Sequence, residues 1–577
     1  MHLINGTRPA DAHALARLDR AARTFLVSAP QAAADLALKA VDLVGPADQN
    51  RFSRAVNATA ALAAAGQLTQ AAELAHSSLA EQVPMITAAR LRCVLSSIAL
   101  HRGRLGDAVA EAQRVLADAE LADDVREEAE LVLLAGLCAG TEDTRWARAH
   151  AETILTGADH RHDPATVGAL LALAMIGWSE ARLSAALEFA RDAVRRASIG
   201  PDIGRRALPR LILVSTLTSV GLLDEARTVV SAFSTDVTAL GPTVHGASPE
   251  ILAALVDLAA GSQAEAFVSA ESGIRRAKVL GAHMLTPFGL SILAAAALRS
   301  GDPRGATEYA RAIQARLAGN APAYGRARCL LVTAQVAEAT RGAQHARALV
   351  ADIYQRLERS RSVLVAQPTA AAWLVRFALS QGDREHAKAV TDAAQAIALG
   401  NPRFASVSAA AAHAYGVLDR DADALNRAAI AACDPWERAS AAEDLGVLLA
   451  AEQEAKRAVR SLDSALAGYE RAAAARVRRR LRKLGVRRRH FTYADRPGSG
   501  WASLTDTERA VSDLVAQGLT NQKIANQMFL SVHTVAFHLR LVFRKLDISS
   551  RVDLARVLTE RSQRDGAAHV LTAGGRR

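Results

Sequence analysis

Aromatic residues make up only 4% of this 577-residue chain, although half of the chain is apolar. Sheets draw on aromatic and β-branched side chains, so the scarcity argues against sandwiches and barrels, and the abundance of alanine suits closely packed helices. Cysteine is scarce as well. Cys93, Cys138, Cys329 and Cys433 stand far apart with no CxxC pair. That spacing excludes a disulfide framework and reads as reduced thiols packed as small hydrophobes in a cytoplasmic protein. The longest apolar runs, near 211–223 and 284–298, contain Ser, Thr or Pro. Both fall short of the roughly 18–20 residues that span a bilayer. The opening "MHLINGTRPADAHALARL" lacks the basic-then-apolar pattern of a signal peptide.

Enzyme signatures are missing too. The chain has no GxxxxGK[ST] phosphate loop, no HExxH, no Cys/His cluster at zinc spacing and no GxSxG elbow. The "GSG" at 498–500 follows Pro497 and reads as flexible linker. No catalytic residue, cofactor or metal is expected.

What is present is positive charge, concentrated in one place. The chain carries a net +11. From Arg471 to Arg496, ten arginines and one lysine face the single acid Asp495, a net +10. The rest of the chain is therefore close to neutral, and an anionic partner should be met at the C-terminal end. Val477, Leu481 and Leu484 have helical spacing within this stretch. It can be the last helix of the preceding region with a solvated basic face, or that helix can add non-specific phosphate contacts.

Upstream, the chain repeats itself. Segments such as "ALAAAGQLTQAAELA", "ALHRGRLGDAVAEAQ", "TSVGLLDEARTVV", "ALRSGDPRGATEYA" and "ALSQGDREHAKAV" each join two helical runs across a small residue. Those residues are Gly66, Gly103, Gly140, Ala181, Gly221, Gly261, Gly301, Gly342 and Gly382, spaced 37 to 41 apart. Glycine fits because a helix end commonly needs a left-handed residue. Each unit is a helix–turn–helix whose apolar face only a stacked neighbour can bury, which produces an α-solenoid. Weaker units continue through "YGVLDRDADALNRA" and "LGVLLAAEQEAKRAV" to about Gly468. The period exceeds that of strict tetratricopeptide repeats, so the unit is tetratricopeptide-like. Its concave face could take a protein, a peptide or a small effector, or the solenoid could be a scaffold that only packs and dimerises. Trp146, Trp178, Trp373 and Trp436 are isolated and read as core.

The last sixty residues carry a different pattern. Thr505-Asp506-Thr507-Glu508 has the form of a capping box, Thr520 and Ser531 cap two further helices, and Ser550-Arg551-Val552-Asp553 opens a fourth. Between Val532 and Leu546, the residues Val532, Val535, Leu539, Val542 and Leu546 share one stripe, and His533, Phe537, Arg540 and Arg544 share the opposite one. Two helices joined by a short turn, the second with a polar outer stripe, make a helix-turn-helix.

Residues 504–558, "LTDTERAVSDLVAQGLTNQKIANQMFLSVHTVAFHLRLVFRKLDISSRVDLARVL", resemble the LuxR-type (GerE-type) DNA-binding domain. The resemblance rests on Leu504, Thr505, Glu508, Leu514, Ala516, Gly518, Leu519, Asn521, Ile524, Ala525, Leu530, Ser531, Thr534, Val535, His538, Lys545, Leu546 and Arg551. The repeats ahead of it are similar to the C-terminal two-thirds of the large ATP-binding LuxR-type regulators, and "CDPWERASAAEDLGVLLA" at 433–450 resembles the unit that ends their repeat region. The nucleotide-binding domain of those regulators would precede residue 1, so nucleotide-driven control is not expected of this chain.

The resemblance implies a helix laid in the major groove. There Arg540 can donate to guanine N7 and O6, Phe537 can meet a thymine methyl, and His533 lies where the helix first reaches DNA. Ala536 stands where the family often has lysine, so a different base preference is expected. Thr520, Asn521, Lys523, Ser531, Thr534, Lys545 and Arg551 are the phosphate candidates. His538 reads equally as a packed histidine or a DNA contact.

The reading is thus an all-α protein, a tetratricopeptide-like solenoid over 1–470, a basic helix and linker over 471–500, a four-helix LuxR-type domain over 501–563 and a disordered tail over 564–577. It implies a cytoplasmic transcription regulator that binds double-stranded DNA as a dimer and carries a small-molecule or protein effector on its repeats. The alternative is an interaction scaffold with weak or vestigial DNA binding.

Overall fold

Helix hairpins closed by left-handed turns account for almost all of the longer unit of the molecule. The structure is a computed structural model, and it describes residues 12–559 apart from 46–47, 49, 119, 141–143, 158–163, 199–202, 318–322, 360, 470, 485–499, 529 and 531. The expected linker and tail, Ser531 and the side chain of His533 lie outside the described residues. All regular elements among those described are helical, as the sequence indicated. The chain divides into two units, Met1–Arg480 and Leu481–Arg577.

The first unit is built of hairpins, from Ala12–Phe25 with Pro30–Leu43 to Pro435–Ala451 with Ala455–Gly468. The expected turn residues do what the spacing asked of them. Gly66, Gly103, Ala181, Gly221, Gly261, Gly301, Gly342 and Gly382 all have positive φ, between 61° and 89°. At most of these turns the next N–H reaches back to close the helix end, as in Gln67 to the Leu62 carbonyl at 2.9 Å and Asp302 to that of Ala297 at 2.8 Å. Gly140 ends the Asp123–Gly140 helix beside undescribed residues.

Two later turns were hidden because no glycine marks them. Arg420 at φ 56° and Gln453 at φ 65° take the same left-handed geometry in the units that had looked weak. A side chain there costs about 1–2 kcal/mol. The closing bonds are kept nonetheless, from Asp421 N–H to the Gly416 carbonyl at 3.1 Å and from Glu454 to that of Leu449 at 2.9 Å.

The solenoid also closes on itself. The Val244 N–H donates to the Ala64 carbonyl at 3.0 Å, and the Met284 N–H to that of His101 at 3.0 Å. Further along, the Asn401 side chain donates to the Ala181 carbonyl at 2.7 Å and accepts from the Leu183 N–H at 3.0 Å. Ser406 donates to the Val220 carbonyl at 2.6 Å, and Arg299 pairs with Asp434 at 2.9 Å. Turns of the superhelix therefore touch across gaps of up to 220 residues.

The thiols are only partly as expected. Cys93 and Cys329 are buried and Cys138 half-buried, and burial pushes each thiol up to about 12, but Cys433 is exposed. The tryptophans divide as well. Trp373 donates to the Glu338 carboxylate at 2.6 Å, and Trp436 packs against Tyr469. Trp146, read as core, is 54% exposed and stacks on His150.

The second unit holds the helices Asp506–Ala516, Asn521–Gln527 and Val532–Lys545, followed by a helix over 551–559. Its core is Leu504, Val511, Val515, Ile524, Ala525, Val535, Leu539, Val542, Leu554 and Leu558, with Trp501 packed against it.

Candidate nucleic-acid interface

Caps at Thr505, Thr520 and Ser550 fix where three helices of the C-terminal unit begin. The Glu508 N–H donates to Thr505 Oγ1 at 3.3 Å while the Thr505 N–H donates to Glu508 Oε2 at 2.8 Å, so the capping box is complete. Gly518, at φ 80°, turns the chain out of that helix. Thr520 then accepts from the Lys523 N–H to start the second helix. Ser550 accepts from the Asp553 N–H at 3.1 Å, and its hydroxyl donates to the Asp553 carboxylate at 2.7 Å, holding that carboxyl below its usual range.

Within the Val532–Lys545 helix the apolar stripe is where its spacing placed it, with Val535, Leu539 and Val542 in the core and Leu546 packed against it. Arg540 and Arg544 are half-buried on the other side. Phe537 corrects the reading of that face. It steps opposite the core stripe and was expected to be uncovered, yet its side chain is fully buried. An aromatic ring left in water forfeits about 25 cal/mol for each Å² of apolar surface, and this one is sheltered beside His538, ring centroids 6.1 Å apart, and under the Arg540 guanidinium at 6.0 Å. In this arrangement it offers no surface to a thymine methyl. His538 is buried as well, as a packed histidine would be.

The phosphate candidates separate into groups that the sequence could not distinguish. Lys523 is exposed beside Gln522 and Asn526, which bond to each other at 3.2 Å. Thr520 is engaged as a cap. Asn521 accepts from Arg551 at 2.8 Å, and Arg551 also donates to the Leu519 carbonyl. Lys545 lies 2.6 Å from Glu508, whose carboxylate is almost wholly buried. Thr534 is buried. For Lys545 and Arg551 the physical reason is the same: a donor that can reach an acceptor inside its own domain is held there, since leaving a buried acceptor unmet costs more than a bond to water returns.

Near the end of the repeats, the Arg471–Lys483 helix buries Val477 and Leu481 and exposes Arg478, Arg479, Arg482 and Lys483. Arg480 is taken up by Glu443 at 3.2 Å.

A capped three-helix arrangement with an arginine-bearing face on its longest helix is what known DNA-binding domains present, and residues 502–558 match the family described as "Bacterial regulatory proteins, luxR family". These residues are a LuxR-family helix-turn-helix domain. HTH-type transcriptional regulators of Mycobacterium tuberculosis and Mycobacterium bovis are 52% identical to the chain over 59 residues, 10% of this chain and 7% of theirs. A nitrate/nitrite response regulator homologue of Haemophilus influenzae is 46% identical over 61 residues, 11% of this chain and 28% of that protein. The likeness thus spans a small part of either partner.

Over the larger part of the chain, likeness is to solved helical proteins at low identity. A Rap protein complexed with competence and sporulation factor matches with 12% identity and a TM-score of 0.43, over 62% of this chain and all of that one. The Cut9–Hcn1 heterotetramer of the APC/C matches with 13% identity and a TM-score of 0.45, over 82% of this chain and 96% of that one. Among the described residues no helix is long and apolar enough to cross a membrane, and no cluster of His, Cys, Asp or Glu could hold a metal ion.

Proposed function

We propose that this chain is a cytoplasmic transcription regulator whose LuxR-family domain lays the Val532–Lys545 helix in the major groove of promoter DNA. The carrying observation is the two-sidedness of that helix, with Val535, Leu539 and Val542 in the core and Arg540 and Arg544 on the opposite face. Arg540 is the base-reading residue of this proposal, aided by His533, and Lys523 and Thr520 position the domain on phosphates. Lys545 and Arg551 act through the fold, holding helix ends in place. The exposed Arg478, Arg479, Arg482 and Lys483 supply sequence-independent attraction. Binding is as a dimer, since one domain reads one half-site. The repeats sense or dock an effector.

The test is selection of binding sites from random duplex DNA by the full chain at physiological salt. An enriched inverted repeat is expected. Arg540→Ala should then lose about 1–3 kcal/mol on that site and relax the base preference at one position, while Lys523→Ala should weaken all sequences alike and reduce the salt slope by about one. Failure to enrich any sequence would transfer the function to the repeats as an interaction scaffold.

A further inference from the structure

Inside the solenoid lies a cavity of about 290 Å³, walled on one side by Met175, Ile212, Leu255 and Phe288. Among the described residues its charged lining is one-sided: Arg326, Arg328 and Arg356 border it, and no described carboxylate does. Arg356 is engaged by Asp352 at 3.2 Å. Arg328 is different, because its Nε is buried without a hydrogen-bond partner and its guanidinium sits 6.0 Å from the Phe288 ring centroid. Asp434, an acid whose charge reaches it, is engaged elsewhere: its carboxylate accepts from Arg299 at 2.9 Å and from the Trp436 backbone N–H at 2.9 Å. Burial and the neighbouring Arg299 draw Arg328 down to about 10, so it stays charged at neutral pH. A guanidinium nitrogen that is buried and unpaired is costly to keep.

Two further features turn toward the same space. The Arg326–Arg341 helix starts there, with Gly325 at φ 68° as its N-cap and no side chain to accept from its first N–H groups. A helix start favours negative charge. In the same lining, the hydroxyls of Ser215 and Tyr324 meet at 2.7 Å, leaving the pair able to offer one more hydrogen bond to an occupant.

We infer that this cavity binds a small amphipathic carboxylate, whose anionic end meets Arg328 and the start of the Arg326–Arg341 helix while its apolar body lies against Met175, Ile212, Leu255 and Phe288. The inference deepens the effector-sensing half of the proposed function and rests on that reading only for its consequence, not for the site itself. Trp178 lines the cavity, so occupancy has a local reporter.

The experiment uses the full chain without DNA, titrated with octanoate and, in parallel, with the uncharged octanamide. Octanoate should change the tryptophan emission saturably, the change should vanish in Trp178→Phe, and octanoate should bind about tenfold or more tighter than octanamide, as a charged hydrogen bond requires. Arg328→Gln should abolish that preference while unfolding at the same temperature or higher, because it removes a guanidinium whose Nε is buried without a partner. Equal binding of the two probes, no binding of octanoate to the folded chain, or an unaltered preference in Arg328→Gln would each overturn the site. If octanoate binds as expected but leaves the affinity for the selected DNA unchanged, the site stands and the sensing role falls.

Discussion

The two units of this molecule reach a stable fold by opposite means. The solenoid packs on small residues: Ala58, Ala71, Ala108, Ala186, Ala190, Ala266, Ala270 and Ala306 are all fully buried, at positions that recur from hairpin to hairpin. Its specificity lies in spacing, and neighbouring hairpins repeat similar ties, such as Arg90 with Asp124 at 3.0 Å and Arg191 with Glu225 at 2.7 Å. The LuxR-family domain packs branched aliphatic side chains, and the starts of three of its helices each depend on one particular residue, Thr505, Thr520 or Ser550. Damage to a repeat is shared among similar neighbours, whereas damage to a cap in the small domain has nowhere to go.

The sharpest form of that contrast is Glu508. Its carboxylate completes the capping box and also pairs with Lys545, joining the start of one helix to the end of another while almost wholly buried. Glu508→Ala removes both bonds and strands the Lys545 ammonium, a loss of about 3–5 kcal/mol for a broken buried pair. Amide exchange in the full chain should then accelerate throughout 504–558 and remain unchanged in the repeats. Protection of 504–558 at the wild-type level would show that the domain is as forgiving as the solenoid.

Asn401→Ala tests the other side. A simple solenoid passes stress only to adjacent repeats, but Asn401 ties its own hairpin to Ala181 and Leu183 across a full superhelical turn. Removing it leaves a buried N–H and a buried carbonyl unmet, about 1–3 kcal/mol for each. Exchange should rise around 181–183 as well as around 401, although hundreds of residues separate them in sequence. If only the neighbourhood of 401 responds, the repeats behave as a one-dimensional array after all.

The same contrast explains what could be read in advance. Spacing is visible in a sequence, so the glycine-marked turns, the all-helical class and the core stripe of the Val532–Lys545 helix were legible. Turns at Arg420 and Gln453 were not, because their left-handed geometry is imposed by the packed hairpins rather than by the residue. In the candidate site, residue types named the right face but not the occupied donors. Nothing local in the sequence reveals that Lys545 is committed to Glu508 or Arg551 to Asn521, since the partners lie 37 and 30 residues away. The cross-turn contacts depend on the pitch of the superhelix, which no single repeat encodes.

The smallest expected effect concerns acid, and its sign distinguishes the solenoid again. His101 and His245 meet edge to face, centroids 5.0 Å apart, next to the cross-turn bond from Met284 to His101. Burial lowers His245 to about 4, and burial with the charge of His245 lowers His101 to about 3. Below pH 6.5 the unfolded chain takes up two protons that the folded chain refuses, so stability is intact above pH 6.5 and falls as the pH drops toward 4. Glu437 opposes this, because burial and the nearby Asp434 raise it to about 7 and the folded state gains a proton first. Asp444, held down to about 2 by Arg376 and His413 against the cost of its burial, contributes its loss only below the usual carboxylate range. At about 1.4 kcal/mol per pH unit for each proton, two histidines outweigh one glutamate, so the repeats should melt at a lower temperature at pH 5 than at pH 7. His245→Gln should flatten that dependence and leave the LuxR-family domain's own transition where it was. An unchanged pH slope in His245→Gln would mean that the pair is accessible to water in solution, and with it the contact between superhelical turns that buries it.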